Sequence, residues 1–372
     1  MLYKLESLRG IAACMVILFH SPFSFNGMPT EFFLNSYLFV DFFFVLSGFV
    51  MTLAYGPRIT EGLNFKSYLI LRLGRVYPLH LIMLFIWVPF IFVKHYLYAA
   101  GHGGEFDPFE KNNLGSFITN VLLIHSMGVH DYLSWNLPSW SISTEFFAYI
   151  MFYLITVLID KRQTLIVPVI VAIVCYGIIA SLGRNTLDIT YDYGFFRCLG
   201  AFYLGVFIYR FSERVKLAGC FINHMATLEM CCVASILVSV SFSRSNPLFI
   251  VAVIMSFVLA IYIFSQEQSG FIGKLLLTNP FRKVGLWSYS VYMLHEIVVS
   301  VFSNVFQYIL KWDLKSPLGY QSLLVNIVMV STIILLSKYS FQFIELVFRR
   351  KSRLLAEKFN PSIQTAAKAA AD

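Results

Sequence analysis

An arginine and a histidine stand at opposite ends of the apolar segment RGIAACMVILFH, residues 9–20. On an α-helix, the eleven-residue separation places Arg9 and His20 on one face, about 16.5 Å apart along the axis. A guanidinium binds anions such as phosphate, and imidazole can be a neutral base at physiological pH. The spacing predicts a polar helix face with a cation at its entrance and a proton acceptor inside. The alternative is a snorkelling arginine and a histidine bonded to a backbone carbonyl.

A second cationic pair occurs in RLGRVYPLH, where Arg72 and Arg75 are three residues apart and His80 follows. Residues at this spacing share a helix face. Two guanidinium groups on one face can grip a phosphate with paired hydrogen bonds, so we expect these arginines to bind an anionic ligand. Anchoring of the helix at the cytoplasmic membrane surface is the alternative.

Asp41 and Glu145 are acidic residues within apolar segments. Asp41 is the second residue of VDFFFVLSGFVM, and we expect it to orient a histidine or neutralise an arginine. Glu145 lies in SWSISTEFFAY with Trp140 and Ser141. A tryptophan ring can stack on a sugar, and polar oxygens can bond its hydroxyls, so this outer-half segment predicts a carbohydrate platform. An aromatic belt with a paired glutamate is the alternative.

A second deep histidine occurs in SYSVYMLHE. His295 lies about 15 Å into its helix if the helix begins near Gly285. Ionisable groups at this depth usually face a polar interior. Two histidines on different helices are a stronger signal than either alone, and His295 is expected near the substrate with His20. Glu296 follows directly and is expected to point elsewhere.

Composition excludes an ordinary soluble domain. Hydrophobic residues make up 58% of the 372 and charged residues 13%, with a mean hydropathy of +0.72. The predicted class is an all-α polytopic membrane protein. Ten apolar segments reach a bilayer-spanning length of roughly 20 residues. They are 8–25, 36–55, 68–93, 139–159, 164–182, 193–211, 226–242, 247–265, 285–310 and 321–348. A shorter piece at 113–127 is expected to be re-entrant or interfacial.

Charge placement agrees with ten spans and two cytoplasmic termini. On that topology, 20 of the 28 lysines and arginines fall on the cytoplasmic side, as the positive-inside rule requires. Topology thus accounts for the net charge of +8 without a nucleic-acid partner. We predict a membrane domain over residues 1–350 and a basic cytoplasmic tail over 351–372, with the RRKSR segment touching anionic lipid headgroups.

These segments together resemble the membrane-bound acyltransferase 3 family, of the O-antigen and exopolysaccharide O-acetylase type. The resemblance rests on RGIAACMVILFH, VDFFFVLSGFVM, RLGRVYP, SWSISTEFFAY and SYSVYMLHE, which occur in the family's order from about residue 5 to 348. The extracytoplasmic domain that some members append is not expected here. The resemblance places the protein in the bacterial inner membrane.

The family resemblance implies transfer of an acyl group, usually acetyl, from cytoplasmic acyl-CoA to a sugar hydroxyl of an envelope glycan or its lipid-linked precursor. It makes His20 the expected base, Arg9, Arg72 and Arg75 the donor-binding residues, and Glu145 an essential polar residue. Asp41 joins the expected catalytic group, while Trp140, Ser141 and His295 are expected to bind the acceptor. Acyl-CoA is a co-substrate, and no permanently bound cofactor or metal is expected because no HExxH or CxxC motif occurs.

Several readings remain open at the level of sequence. Transfer can be direct, in a ternary complex, or can pass through an acyl-histidine intermediate. A transporter of a glycan or small anionic solute also places His, Arg and Glu inside the membrane. A scaffold or sensor would use the same residues only to tie helices together. The acceptor sugar, the acyl group and the oligomeric state are not indicated.

Overall fold

The computed structural model describes residues 3–23, 30–102, 105–160, 162–183, 186–215, 217–312 and 320–360. Within these ranges the chain is helical and contains no strand, which confirms the predicted all-α class. The α-helices are α1 (Tyr3–His20), α2 (Thr30–Leu34), α3 (Phe39–Thr60), α4 (Phe65–Ala99), α5 (Leu114–Val121), α6 (Trp140–Leu158), α7 (Ile166–Ser181), α8 (Gly194–Arg214), α9 (Gly219–Ile222), α10 (Met225–Ser241), α11 (Pro247–Ser265), α12 (Phe271–Leu276), α13 (Asn279–Leu286), α14 (Ser288–Asn304), α15 (Tyr320–Ser340) and α16 (Leu346–Phe359).

Several of these helices can cross a membrane, so the protein is a multi-pass membrane protein. Seven helical segments in the described ranges are long and apolar enough, and α7 and α10 are shorter apolar helices. The remaining predicted span corresponds to α1, which has 18 residues. The seven segments are Ser36–Thr60, Phe65–Ala99, Leu137–Leu158, Gly194–Arg214, Leu248–Ser265, Ser288–Ile309 and Gln321–Phe359. The total of ten spans and the cytoplasmic termini stay predictions.

The segment predicted to be re-entrant or interfacial forms α5, a helix of eight residues. Eight residues extend only about 12 Å, which is too short to cross a bilayer. Asn113 and Ser116 cap its start reciprocally. After the helix, Leu123 has a positive φ of 59°, and the chain turns there.

The chain divides into two compact units. The first unit comprises Met1–Thr52, Thr164–Asp188 and Leu199–Lys338, and the second comprises Leu53–Gln163, Ile189–Cys198 and Tyr339–Asp372. The helix α16 continues to Phe359, past the expected start of the tail at residue 351. The predicted boundary at 350 stays a prediction, and residues 361–372 of the tail lie outside the described ranges.

Glycines allow the helices of the first unit to approach backbone to backbone. A Cβ added at Gly205 would lie 1.8 Å from the Val45 carbonyl oxygen, and one added at Gly48 would lie 1.8 Å from that of Phe202. Lipid chains are as apolar as leucine, so membrane helices associate largely through such close packing. The pair joins α3 to α8.

The helix α1 also packs against α13 through close contact at glycines. A Cβ added at Gly285 would lie 2.2 Å from the carbonyl oxygen of Glu6, and one added at Gly10 would meet the backbone of Gly285. Lys4 adds a polar tie, because its Nζ donates to the Gln266 carbonyl at 2.5 Å. These contacts set where the far end of α1, which carries His20, lies within the first unit.

In the second unit, α4 lies along α16. Gly74 makes this possible, since a Cβ there would fall 2.1 Å from the Ser352 Cβ. The Ser67 hydroxyl donates to the Ala356 carbonyl at 3.0 Å, and the Asn64 side chain caps the start of α4. The contact places the stretch of α4 that carries Arg72 and Arg75 beside α16.

We predict that Gly205→Ala destabilises the fold by about 3 kcal/mol, the upper end of the range for an overpacked core. The added methyl group would collide with backbone, which cannot rotate away as a side chain can. Thermal unfolding of the detergent-purified protein provides the measurement.

Gly177→Ala is the matched control, because a Cβ at Gly177 meets nothing within 4 Å. It should leave stability unchanged or raise it by about 0.5–1 kcal/mol, since alanine is the better helix former. Equal stability of the two variants would show that α3 and α8 do not approach this closely.

Candidate active site

The first group of candidate residues is the histidine pair, His20 at the end of α1 and His295 in α14. Their ring centroids are 4.9 Å apart, with the ring planes inclined by 60°. His295 is fully buried, and His20 is half-buried. The structure therefore brings together the two deep histidines that the sequence singled out, and His20 faces protein in the first unit.

Backbone carbonyls determine the tautomer of both rings. The Nδ1 atom of His20 lies 2.9 Å from the Val16 carbonyl oxygen, and that of His295 lies 2.6 Å from the Tyr292 carbonyl oxygen. A carbonyl can only accept, so both Nδ1 atoms must carry a proton. In a neutral ring this leaves Nε2 as an unprotonated lone pair. The hydrogen bond to a backbone carbonyl that was the alternative explanation for His20 is thus present. Because this bond keeps the proton on Nδ1, it leaves His20 Nε2 as a proton acceptor.

Glu296 joins the histidine pair, and the expectation that it points elsewhere is wrong. One carboxylate oxygen and one ring nitrogen from each histidine all lie within 4.8 Å of one another. Adjacent helical positions differ by about 100° in direction. The glutamate stem is nevertheless long enough to bring its head group back to the neighbouring side chain.

The other first-unit candidates are Arg9 and Asp41. Arg9 is half-buried, and α1 is continuous from Tyr3 to His20, so Arg9 and His20 share a face as the spacing predicted. Asp41 is fully buried in the first turn of α3. The predicted roles, donor binding for Arg9 and orientation of a charged partner for Asp41, stay predictions.

The second unit contains an arginine cluster, defined as Arg72, Arg75 and Arg349 with the residues that contact them. Arg72 is buried and donates to the hydroxyl of Tyr55. Its guanidinium carbon lies 5.9 Å from the ring centre of Tyr149. Arg75 interacts electrostatically with Glu145, with Glu345 and with both tyrosines.

Glu145 lies with these arginines in the second unit. The Tyr149 hydroxyl donates to Glu145 Oε1 at 2.6 Å, and the Glu145 charge acts on Arg75. The chain enters α6 at Trp140, so Glu145 is about 7.5 Å further along the helix.

Sequence reasoning missed Glu345 and Arg349. Arg349 donates to Glu345 Oε2 at 2.6 Å, and the Glu345 side chain is fully buried. A π-helical turn over Phe341–Glu345 precedes α16 and ends at this glutamate. Such turns frequently occur at functional sites. The available signal was a glutamate and an arginine four residues apart at the end of an apolar segment, which the sequence analysis assigned to a span end and a tail.

Among the described contacts of the arginine cluster, three guanidinium groups face two carboxylates, Glu145 and Glu345. These five groups together carry one surplus positive charge when all are ionised. Surplus positive charge suits an anionic ligand such as a phosphate.

Trp140 and Ser141, the predicted acceptor-binding residues, are both buried in the second unit. The Arg197 guanidinium lies 5.3 Å from the Trp140 ring centre, and Gly194 packs against the same ring. The Ser141 hydroxyl donates to the Pro138 carbonyl at 3.1 Å. Their role in binding a sugar stays a prediction.

Comparison with known proteins identifies the family. Residues 2–337 match the acyltransferase 3 family, described as an acyltransferase domain. The chain belongs to this acyltransferase family. The family resemblance inferred from the motifs is therefore confirmed.

Two relatives of this acyltransferase-family chain are informative. It is 25% identical over 362 residues to YrhL of Bacillus subtilis (strain 168), a proposed peptidoglycan O-acetyltransferase, covering 92% of the chain and 54% of YrhL. It is 38% identical over 81 residues to "Protein 2 in picA locus" of Rhizobium radiobacter, covering 22% of the chain and 40% of that protein. The chain thus spans about half or less of these relatives. No solved structure matches the chain.

For this acyltransferase-family member we predict that Glu345→Gln lowers the free energy of unfolding by about 1.5–3 kcal/mol. That range is typical of a hydrogen bond to a charged group, and the variant also leaves the arginine cluster with more uncompensated positive charge. Chemical unfolding in detergent, followed by tryptophan fluorescence, gives the value.

Glu357→Gln is the matched control on the same helix. Glu357 pairs with Arg353 at the same i,i+4 spacing, but the Arg353 side chain is 53% exposed. Exposed pairs of this kind contribute about 0.3–0.5 kcal/mol. If both variants lost the same small free energy of unfolding, the buried Glu345–Arg349 pair would contribute no more to stability than an exposed pair.

Proposed function

We propose that the protein moves a short acyl group, acetyl in the simplest case, from cytoplasmic acyl-CoA to a sugar hydroxyl of a cell-envelope glycan or its lipid-linked precursor. The observation that carries the proposal is the His20 ring, because the Val16 carbonyl holds its Nδ1 proton and leaves Nε2 as the acceptor. Membership of the acyltransferase family supports it, and so does the name of YrhL.

His20 serves as the general base in this proposal. The sugar hydroxyl gives its proton to Nε2 while its oxygen attacks the thioester carbonyl. The new C–O bond forms, the C–S bond breaks, and the proton passes from His20 to the departing CoA thiolate. General-base catalysis of this kind contributes about 10²–10⁴-fold to a rate. We propose direct transfer in a ternary complex, without an acyl-histidine intermediate.

The arginine cluster binds the donor's phosphates in this proposal. Arg72 and Arg75 have the guanidinium geometry that phosphate requires, and Arg349 adds a third cation that the sequence analysis did not include. Arg9 is proposed as a further donor-binding residue from its position on the face of α1 that carries His20. Acyl-CoA is consumed as a co-substrate.

The remaining residues are assigned to the acceptor and to positioning. We propose that His295, Trp140 and Ser141 bind the acceptor sugar. Glu145 is proposed as an essential polar residue that holds Tyr149 and Arg75 in place, and Asp41 as a buried partner for a positive charge. The protein is proposed to work in the bacterial inner membrane, where cytoplasmic acyl-CoA and envelope precursors are both accessible.

We predict that His20→Gln abolishes acyl transfer, with a loss of at least about 10²-fold, because the amide cannot accept the hydroxyl proton. The test restores the gene to a deletion strain and measures ester-linked acetyl on the envelope glycans by mass spectrometry.

His224→Gln, which changes an exposed histidine after the short helix α9, is the control and should leave the acetyl content unchanged. Both proteins must reach the membrane in equal amounts, as judged by immunoblot. Normal glycan acetylation by His20→Gln would exclude His20 as the general base.

We also predict that Arg72→Lys weakens binding of CoA by about tenfold or more. Lysine keeps the charge but cannot form paired hydrogen bonds with a phosphate. Isothermal titration of the purified protein with CoA measures the Kd.

Arg353→Lys replaces an exposed arginine of α16 in the same conservative way and should not change this Kd. An unaltered CoA affinity in Arg72→Lys would exclude the arginine cluster as the phosphate site.

A further inference from the structure

The histidine pair and Glu296 form a cluster of acceptors. One ring nitrogen of each histidine and one Glu296 carboxylate oxygen all lie within 4.8 Å of one another. The Nδ1 atom of His20 donates to the Val16 carbonyl, and that of His295 donates to the Tyr292 carbonyl. The ring nitrogen that remains for a ligand is therefore Nε2 on both histidines. The His295 Nε2 atom is buried and has no hydrogen-bond partner among the described residues.

The buried Nε2 atom of His295 is the observation that calls for a positive species. A buried polar atom without a partner is costly, and the lone pair of the neighbouring His20 ring repels it. A proton or a metal ion can compensate both rings. Two imidazoles and one carboxylate are a known ligand set of zinc, with bonds of about 2.0–2.2 Å and a fourth position left open. Small side-chain rotations would bring all three groups onto one ion.

The carbonyl contacts of His20 and His295 resemble those of metal-binding histidines in general. Metal-binding histidines donate their other ring nitrogen to a carbonyl or carboxylate, which fixes the tautomer. Val16 and Tyr292 supply such carbonyls at 2.9 and 2.6 Å. No local motif reveals this set, because His20 lies in α1 and the other two residues lie in α14. The absence of a local motif is why no metal was predicted from the sequence.

We propose that His20, His295 and Glu296 form a binding site for a divalent transition-metal ion of the zinc class, and that the bound ion inhibits acyl transfer. The inhibitory part rests on the proposed function, because the ion occupies the Nε2 lone pair that takes the hydroxyl proton. Binding forms metal bonds to Nε2 of each histidine and to a Glu296 oxygen, and it releases any proton that these groups held.

The binding test uses the full chain, purified in detergent and stripped with a chelator that is then removed. Isothermal titration with Zn²⁺ should give about one ion per chain. Glu296→Gln and His295→Gln should each weaken binding at least about tenfold, while the exposed-residue control His224→Gln should not. Mg²⁺ should not compete, because it prefers oxygen ligands.

Cobalt provides a second readout that does not depend on affinity. Co²⁺ in the site should give a visible absorption band, and Glu296→Gln should change or remove that band while the protein elutes as the same single species from a gel-filtration column. Absence of stoichiometric binding, or binding and spectra that are unaffected in both Glu296→Gln and His295→Gln, would overturn the site and leave a proton as the compensating charge.

Measurements of acetyl transfer distinguish a failure of the metal site from a failure of the proposed function. Zn²⁺ should inhibit acetyl transfer by wild-type membranes, a chelator should restore it, and Glu296→Gln should require at least about tenfold more Zn²⁺ for half inhibition. Stoichiometric binding without inhibition would overturn the inhibitory proposal and count against His20 as the base. A failure to bind zinc, together with an inactive His20→Gln, would reject the metal site and leave the proposed acyl transfer intact.

Discussion

A polar group buried in a membrane protein must find its partner within the protein, and this constraint governs both groups of candidate residues. An N–H, a carboxylate or a guanidinium that is shielded from water costs several kcal/mol if it stays unsatisfied. The His20 Nδ1 proton therefore goes to the Val16 carbonyl, and Arg72 goes to the Tyr55 hydroxyl. The groups that these hydrogen bonds do not use remain available for chemistry. The imidazole keeps a basic Nε2, and the arginine cluster keeps surplus positive charge.

Much of the architecture could be predicted from sequence because the membrane imposes a simple pattern. Long apolar helices must cross it, and charged loops follow the positive-inside rule. The eleven-residue interval between Arg9 and His20 needed only helix geometry, and α1 is indeed continuous between them. The proximity of His20 and His295 was also foreseeable, because deep ionisable residues face protein and not lipid.

The local neighbourhoods were less predictable, since they depend on contacts between residues far apart in the chain. Glu296 was expected to point away from His295, but its flexible side chain reaches the histidines. Glu345 and Arg349 looked like a span end and a tail, and only the packing of α16 along α4 brings them to the cluster. The contact between Trp140 and Arg197, which lie 57 positions apart in the chain, could not be read from either local segment. Helix periodicity gives direction along one helix and carries no information about which helix lies opposite.

The central physical claim is that His20 carries its proton on Nδ1 and presents an unprotonated Nε2. Nitrogen-15 NMR of the protein with labelled histidine, recorded at a pH where the rings are neutral, measures this directly. The chain has eight histidines, and His20→Gln identifies the signal by its loss. The account predicts the Nδ1-protonated tautomer for His20. A signal from the Nε2-protonated tautomer would contradict it, because the atom assigned to take the hydroxyl proton would already hold one.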